Sequence, residues 1–334
     1  MQSLTLFARG FFDPHAAVPR LPVLEMMLAR GDTRHLPDHD ADGWLCERFG
    51  VKSEPDRPVA ALTLFGSGID PRQDFCLCAD PVHLQLRHER LILTPARHFV
   101  LRDAESRTLA DALDAHFLAD GLRFIHVAAG RWCIRAGGFE RLGTQSPHAA
   151  RGRDIDRLLP KGEDAGHWMR IATEAQMLLH AHPVNAAREE RGDAPVNAIW
   201  LWGGGRLPRA ESPFDACIGA DPVARALSML SGAQAGSHVP DLASALRAQP
   251  VQRLLACLAP GDGDSAADAL RILDRNWIAQ AWAALRAGLV QHLQLVCEVP
   301  SGLLECNVSG RAAWRVWRRP RPLDSLLQQP GSGL

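Results

Sequence analysis

The sequence predicts an α/β protein in which a mixed sheet is flanked by helices. Between residues 59 and 136, apolar and alternating runs surround a segment with helical spacing, which gives a strand, helix, strand order. A second helical pattern precedes the short apolar run at residues 198–202, and a third precedes a hairpin pattern around Pro300. Helical and strand patterns that follow one another in this way are typical of α/β folds.

Composition indicates an ordinary globular protein. The chain has 334 residues, 46% of them hydrophobic, and a formal net charge of -1, so no overall field attracts nucleic acid or a membrane surface. Neither is expected as a partner. Asp13 and Pro14 interrupt the stretch where a signal peptide needs an apolar core, which predicts a cytoplasmic protein. The eight cysteines form no C-x-x-C pair and are expected to be reduced core residues.

The first 55 residues are polar and irregular apart from one predicted helix, PVLEMMLAR, which is expected to end at a capping Gly31. The run VAALTLFGSGID predicts a strand that stops at Gly-Ser-Gly. The segment FCLCADPVHLQLRHERLIL predicts two strands around a turn at Asp80-Pro81. A helix ending at Gly121 and two further strands in RFIHVAAGRWCIRAGG follow.

A Gly-, Pro- and charge-rich stretch, GTQSPHAARGRDIDRLLPKGEDAG, suggests a boundary between two lobes, residues 1–145 and residues 146–334. The helix GHWMRIATEAQMLLHAH should stop at Pro183, which also excludes His182 from helical geometry. AIWLW then predicts a buried strand, and the next three glycines predict a sharp turn where no side chain fits. A long helix with Trp277 and Trp282 and a hairpin around Pro-Ser-Gly complete the second lobe.

The central block contains candidate ligand-binding groups, each with a structural alternative. Gly203, Gly204 and Gly205 have neither P-loop nor dinucleotide spacing, so they form a structural turn or present backbone to a ligand. His180 and His182, with His83 or Asp80, could ligate a metal, or the histidines could be hydrogen-bonded structural residues.

Arginines in two places raise the possibility of anion binding. Arg188 and Arg191 lie near Asn185 and Asn197 and could fork onto phosphate or carboxylate oxygens, although a solvated charged turn explains the same letters. The tail RAAWRVWRRPRP could stack bases and grip phosphates, or it could be a docked helix whose arginines cover apolar surface. Neither a G-x-S-x-G elbow nor an H-E-x-x-H helix is present.

The block TEAQMLLHAHPVNAAREERGDAPVNAIWLWGGGRLP resembles the hallmark of the RpfE-type regulatory proteins of proteobacteria. CADPVHLQLRHERLIL, TLADALDAHFLADGLRF and WRVWRRPRPL extend the resemblance over most of residues 60–325. The block is also similar to that of the archaeal-type 2,3-bisphosphoglycerate-independent phosphoglycerate mutases. The matching residues are His182, Pro183, Val184, Asn185, Arg188, Gly192, Pro195, Asn197, Ile199, Trp200, Leu201, Trp202, Gly203, Gly205 and Pro208.

This resemblance implies a degenerate alkaline-phosphatase-like, phosphoglycerate-mutase-like architecture. The mutases use an N-terminal Asp-Gly metal site, a serine phosphoryl acceptor, and later Asp and His ligands for two divalent metals. Here Ser67 in GSGID has no preceding Asp, and His238 and His292 are isolated. The expectation is therefore a pseudoenzyme with no catalytic residue, no metal ligand and no cofactor; the alternative is an active mutase with two Mn or Mg ions.

The resulting hypothesis is a cytoplasmic, non-catalytic regulatory protein with a role in pathogenicity regulation. It would bind a small phosphorylated metabolite or a regulatory protein partner. Buried polar groups beside tryptophans need partners, which places the expected ligand site in the central block and the Asp80-His83 segment. The predicted ligand-binding residues are Asp80, His83, His182, Asn185, Arg188, Asn197, Trp200, Trp202, Gly203, Gly204 and Gly205.

Overall fold

The structure is a computed structural model that describes residues 1–12, 17–37, 39–53, 55–87, 90–138, 140–150, 155–248, 251–261 and 265–323. Within these ranges, the helices are all too short or too polar to cross a bilayer. The chain forms two compact units, which are described separately. One unit combines residues 1–50 with residues 210–334, and the other is the continuous stretch 51–209.

The strands of the described residues are β1 (Ser3–Ala8), β2 (Asp32–Pro37), β3 (Phe75–Arg87), β4 (Arg90–Pro95), β5 (Arg123–Ala128), β6 (Arg131–Ala136), β7 (Ala198–Gly205), β8 (Ala216–Gly219), β9 (Gln234–Gly236), β10 (Arg253–Leu258), β11 (His292–Val299) and β12 (Gly302–Ser309). The α-helices are α1 (Pro22–Arg30), α2 (Ala41–Arg48), α3 (Val59–Gly66), α4 (Asp103–Phe117), α5 (Pro147–Ala150), α6 (Ala165–His180), α7 (Pro183–Glu190), α8 (Pro222–Ser231), α9 (Leu242–Ala248), α10 (Ala266–Ile272) and α11 (Ala279–Arg286).

The first unit is built on a mixed seven-stranded sheet. Its strand order is β2-β12-β11-β1-β10-β8-β9. Strand β1 is parallel to both β10 and β11, and β12 returns antiparallel to β11. The buried side chains of Leu4 and Leu6 on β1 share one apolar core with α1 and α11, in which Trp277 and Trp282 are each 4% exposed. Strand β1, buried from Leu4 to Ala8, therefore lies at the centre of the sheet, as parallel strands covered by helices do.

The second unit has an antiparallel sheet of five strands. Its path is β4-β3-β6-β5, and β7 pairs with the long strand β3. Helices α4 and α6 supply much of its core, where Leu113, Phe117, Trp132 and Trp168 are buried. The two sheets with their helices confirm the predicted mixed α/β fold class.

The division of the chain differs from the predicted lobes 1–145 and 146–334. The expected boundary near residue 145 lies inside the second unit. Strand β7 follows that point in the sequence but pairs with β3, which precedes it. A Gly- and Pro-rich composition therefore indicated an irregular connection within one unit instead of a linker between two.

Two N-terminal predictions were wrong. The supposedly irregular lead-in contains β1, the central strand of its sheet, together with β2 and α2. The apolar run predicted as a strand is helix α3, in which seven of the eight residues are buried. A short run that is apolar on every side fits a buried helix as well as a buried strand, so periodicity could not separate the two.

The Asp80-Pro81 turn was also wrong, because β3 runs straight through it. On one side β3 pairs with β6 up to Cys78 and with β4 from Val82 onward. Pro81 falls between these stretches, and on the other side of β3 it is paired with Ile199 of β7. The chain reverses instead between Arg87 and Arg90.

The more periodic predictions were confirmed. Helix α4 passes into a short 3₁₀ turn and ends at Gly121 with φ 75°. The long helix near the C-terminus runs from Ala266 to Arg286 through a π-helical stretch, and the hairpin of β11 and β12 follows it. Helix α1 ends before Gly31 as predicted, but Gly31 has φ -77° and is not left-handed. A Cβ there would lie 2.4 Å from Cys306 Sγ, so close packing explains this glycine.

Candidate functional site

The HPVN segment joins helix α6 to helix α7. His182 is extended, with φ -79° and ψ 134°, as Pro183 predicted. Its Nδ1 accepts a hydrogen bond from Val184 N at 3.2 Å and so caps α7. Burial lowers the pKa of His182, which favours the neutral imidazole that can accept this bond. The sequence did not reveal α7, and most of the supposed charged turn REERGD belongs to this helix or its end.

Asn185 is buried and fully engaged with the backbone. Its Nδ2 donates to Leu179 O at 2.7 Å and to Val196 O at 2.8 Å. Its Oδ1 accepts from Val196 N at 2.9 Å. The side chain therefore fastens the end of α6 to the residues that precede β7, and its two N–H donors have no bond left to offer a ligand.

Arg188 is completely buried, which excludes the solvated-turn interpretation for this residue. Its Nε and Nη2 donate to Ala194 O at 3.0 and 2.7 Å, and Nη2 also donates to Val100 O at 2.6 Å. Nη1 binds the carboxylate of Glu105, which also accepts from Arg191. The predicted fork onto a carboxylate is present, but the carboxylate belongs to the protein.

His83 and Asn197 attach β3 to the segment before β7. The Nδ1 of His83 lies 2.9 Å from Pro195 O. Asn197 accepts from Leu84 N at 2.7 Å and donates to Leu84 O at 2.9 Å, as a neighbouring strand would. These side chains therefore extend the pairing with β3 to the residues just before the first residue of β7.

The tryptophans of β7 have polar partners within the protein. Trp202 donates to Asp80 Oδ2 at 2.9 Å, and Arg131 Nε lies 2.9 Å from Asp80 Oδ1. The Arg131 guanidinium also stacks 4.7 Å from the centre of the Trp202 ring. Trp200 donates to Gln145 O at 2.8 Å. The polar groups beside the tryptophans are thus satisfied without a ligand.

The three glycines do not form the predicted sharp turn, because β7 continues through Gly205. They permit close packing: a Cβ would lie 2.9 Å from Val59 at Gly203, 2.7 Å from Phe75 at Gly204 and 2.7 Å from Pro58 at Gly205. The expectation that no side chain fits is therefore right. The space is taken by residues at the start of α3 and by Phe75 of the neighbouring strand β3.

The backbone of these glycines faces a small polar network. Gly203 N donates to Thr144 Oγ1 at 3.0 Å, and Gly204 N donates to Asp56 Oδ2 at 3.3 Å. The Thr144 hydroxyl donates to the same carboxylate. Burial raises the pKa of Asp56 above its ordinary value, although these hydrogen bonds act in the opposite direction.

The predicted site residues therefore surround a network of internal contacts. His180 is exposed. Among the described residues, no group of three or more His, Cys, Asp or Glu is arranged to hold a metal ion. The HPVN…WLWGGG block acts in this structure as the element that locks α6, α7 and β7 onto β3.

Sequence reasoning missed a charged cluster at the carboxyl end of the other sheet. Arg9 directly follows β1, Asp42 lies in the first turn of α2, and Asp221 caps α8. Arg9 Nη1 and Nη2 bind the two oxygens of Asp42 at 2.7 and 2.8 Å, and Nη1 lies 3.0 Å from Asp221 Oδ2. Glu298, near the end of β11, accepts from Gly10 N at 3.2 Å. The signal available in the sequence was the run SLTLFA with Arg-Gly directly after it. Interpreting this run as a strand would have placed Arg9 at the strand's carboxyl end.

The cluster keeps Arg9 charged. Burial alone would lower the pKa of Arg9, but the carboxylates of Asp42, Asp221 and Glu298 raise it well above its ordinary value. Open α/β sheets bind ligands at the carboxyl ends of their parallel strands. In this sheet the guanidinium of Arg9 lies at that position, bound to the carboxylates of Asp42 and Asp221.

Two divalent metals do not fit this cluster. The resemblance led us to expect an Asp-Gly pair near the N-terminus, whereas β1 ends in Arg9-Gly10. A metal would need the carboxylate oxygens of Asp42 and Asp221 that the guanidinium already engages, and the like charges would repel.

No protein-family model matches the chain. A curated 2,3-bisphosphoglycerate-independent phosphoglycerate mutase of Methanosarcina acetivorans is 30% identical over 233 residues, which are 64% of this chain and 55% of the relative. One of Methanothermobacter thermautotrophicus, named phosphoglycerate mutase 2, is 33% identical over 162 residues, which are 46% of this chain and 39% of the relative. The matched regions thus span about half the length of these relatives or less.

A solved structure, that of the PH0037 protein from Pyrococcus horikoshii, aligns with 92% of this chain and 87% of its own. The TM-score is 0.50 and the identity 13%, which makes this a likeness of fold alone. The comparisons support the class: an α/β protein whose fold is like that of the PH0037 protein. Over part of its length, the sequence of the chain is phosphoglycerate-mutase-like.

Proposed function

We propose that this phosphoglycerate-mutase-like chain is a non-catalytic regulatory protein that binds a small phosphorylated metabolite or a protein partner. The observation that carries the proposal is Arg9, held by Asp42 and Asp221 at the carboxyl end of the central strand. The RpfE-type assignment and a role in pathogenicity regulation are part of the same proposal and rest on the central sequence block.

The physical reason concerns where charge must be stabilised. Metal-dependent phosphoryl transfer needs cations that activate the nucleophile and neutralise the phosphoryl oxygens. Asp42 gives both of its oxygens to the Arg9 guanidinium and is 2% exposed, so it is not available to a second cation. A guanidinium supplies positive charge but cannot activate a hydroxyl as a bound metal does.

The second candidate is an active 2,3-bisphosphoglycerate-independent phosphoglycerate mutase using two Mn or Mg ions. The names of the relatives that are 30% and 33% identical favour it. It requires Arg9 to leave the carboxylates or the metals to bind elsewhere.

A coupled assay with 3-phosphoglycerate separates the two candidates. The purified protein is assayed with and without excess Mn²⁺, beside one of the archaeal mutases as positive control. We expect no turnover above a blank in either condition. Metal-dependent turnover that disappears with a chelator would replace the proposal with the active mutase.

A further inference from the structure

An arginine-lined pocket lies beside β2, the edge strand of the first unit's sheet, whereas Arg9 follows the central strand β1. Strand β2 is antiparallel to β12, which is antiparallel to β11, so β2 runs in the same direction as β1. Through this pairing, its first residues, Asp32 to Arg34, are level with the middle of β1, three strands away. Together with the end of α1 and residues 318–321 they enclose a pocket of about 480 Å³.

The lining carries four arginines and two acids. The arginines are Arg34, Arg318, Arg319 and Arg321, and the acids are Glu25 and Asp32.

Each acid already has an arginine partner that does not line the pocket. The fully buried carboxylate of Glu25 accepts from Arg20 Nε and Nη2 at 2.8 and 2.7 Å. This contact lowers the pKa of Glu25 and keeps it ionised. Asp32 Oδ1 lies 3.2 Å from Arg315 Nη1. The acids are therefore neutralised from outside the pocket.

The lining arginines are not neutralised in the same way. Arg318 Nη1 donates to Gly31 O, a neutral carbonyl, at 3.3 Å. For Arg34, Arg319 and Arg321, the described part of the chain provides no ion pair. Several guanidinium forks thus face one concave space with excess positive charge, which is the arrangement that recognises phosphate oxygens.

We infer that this pocket binds the phosphate groups of a small anionic metabolite. The inference rests on the proposed function, which it deepens by assigning the ligand a site beside the edge strand β2, three strands away from β1 and the Arg9 cluster. The pocket volume lies in the range of small-molecule sites, about 300–1,000 Å³.

A nucleic-acid backbone offers the same phosphate chemistry from another source. Trp314 and Trp317, which precede the lining arginines in the sequence, are 55% and 74% exposed, and exposed tryptophans can stack bases. However, Arg286 already stacks 4.5 Å from the centre of the Trp314 ring. With one of the two rings engaged, the concave arginine pocket favours a small phosphorylated molecule over an extended strand.

The test is calorimetric titration of the full chain with pyrophosphate and with 3-phosphoglycerate, at about 0.15 M salt so that diffuse attraction is screened. We expect at least one of the two to bind. In the Arg319→Ala/Arg321→Ala variant the affinity should fall about tenfold or more. The Arg34→Ala variant, altered on β2 instead of the tail, should show a similar loss. Thermal melts check that each variant is folded.

A matched variant removes the same charge elsewhere. Arg209→Ala/Arg225→Ala changes two exposed arginines outside the lining and should bind as the unaltered protein does. Equal losses in both double variants would overturn the inference, as would no binding of either anion. A short oligothymidylate that binds about tenfold tighter than the small anions would replace the metabolite with a nucleic-acid strand.

The outcomes also separate this inference from the proposed function. Binding that persists in the pocket variants refutes the site but leaves a non-catalytic metabolite-binding protein. Turnover of 3-phosphoglycerate together with anion binding lost in the pocket variants refutes the non-catalytic proposal but leaves the pocket.

Discussion

At the residue scale, Asn185 and Arg188 show how the polar side chains of a recognisable sequence block can bind the protein's own backbone. Each is buried, and each uses its N–H groups on backbone carbonyls or on Glu105. Buried donors and acceptors are costly to leave without partners, so such residues are expected to support the fold strongly.

Replacing Asn185 with Ala should therefore destabilise the protein by about 3 kcal/mol, because Leu179 O and both backbone groups of Val196 would lose a bond. Urea unfolding measures the change. Asn307→Ala, at an exposed position, is the control and should shift stability by about 0.5 kcal/mol or less. Unchanged stability with weakened anion binding would instead place Asn185 in a ligand site.

Glu105 gives the same network a pH dependence. Burial alone would raise the pKa of Glu105, but hydrogen bonds from Arg102 and Arg188 lower it below its ordinary value. The folded state therefore favours the carboxylate, so its contribution to stability is present above the unfolded pKa and is lost as pH falls through the folded one.

The variant Glu105→Gln should thus be less stable than the unaltered protein near neutral pH, and the difference should shrink on acidification below about pH 4. Urea unfolding across this pH range tests the expectation, with exposed Glu211→Gln as control. A difference that is constant with pH would mean that Glu105 acts through packing and not through charge.

At the scale of elements, the glycines of β7 are required by what packs against the strand. At Gly204 a Cβ would lie 2.7 Å from Phe75 Cζ and 3.1 Å from Leu77 Cδ1. Such contacts are closer than carbon atoms tolerate, so a neighbour would have to move.

Gly204→Ala should cost about 1–3 kcal/mol, and combining it with Phe75→Leu should recover part of that loss. Gly166→Ala in α6 is the matched control. It has no atom within 4 Å of the added Cβ and should be neutral or stabilise the protein by about 0.5 kcal/mol. Thermal or urea unfolding measures each variant. Equal effects at the two positions would contradict the packing explanation.

Elements with a clear period could be predicted from the sequence, and the others could not. Helices α4 and α6 have apolar residues on one face, and the hairpin of β11 and β12 has a Pro-Ser-Gly turn. By contrast, β1 and α3 are mostly apolar and almost wholly buried, so the sequence shows burial but not which structure is buried. The location of the central block was predictable, but the partners of Arg188 were not, since Glu105 lies 83 residues away.

At the scale of the whole molecule, the central block and the Arg9 cluster lie in different units of the chain. The block is similar to that of the mutases, whereas the carboxyl end of the other unit's sheet carries an internal cation. A family-like sequence block can therefore preserve the packing of one unit and carry no information on the chemistry of the other.

Arg9→Met should destabilise the protein by about 2–4 kcal/mol, because Asp42 and Asp221 would lose their counter-cation. The Arg9 side chain is 25% exposed, which keeps this cost below that of a fully enclosed pair. Arg271→Met, which breaks an exposed pair with Asp268, should destabilise the protein far less, because water screens that pair. Urea unfolding compares the two; similar small losses would show that Arg9 is not needed to balance the carboxylates.

The measurement that tests the central claim most directly is a calorimetric titration of the unaltered protein with Mn²⁺, after removal of any metal carried through purification. If Arg9 is the resident cation of the cluster, we expect no stoichiometric binding, and the Asp42→Asn variant should give the same flat titration. Binding of one or two Mn²⁺ per chain that Asp42→Asn abolishes would contradict the account and make the cluster a metal site.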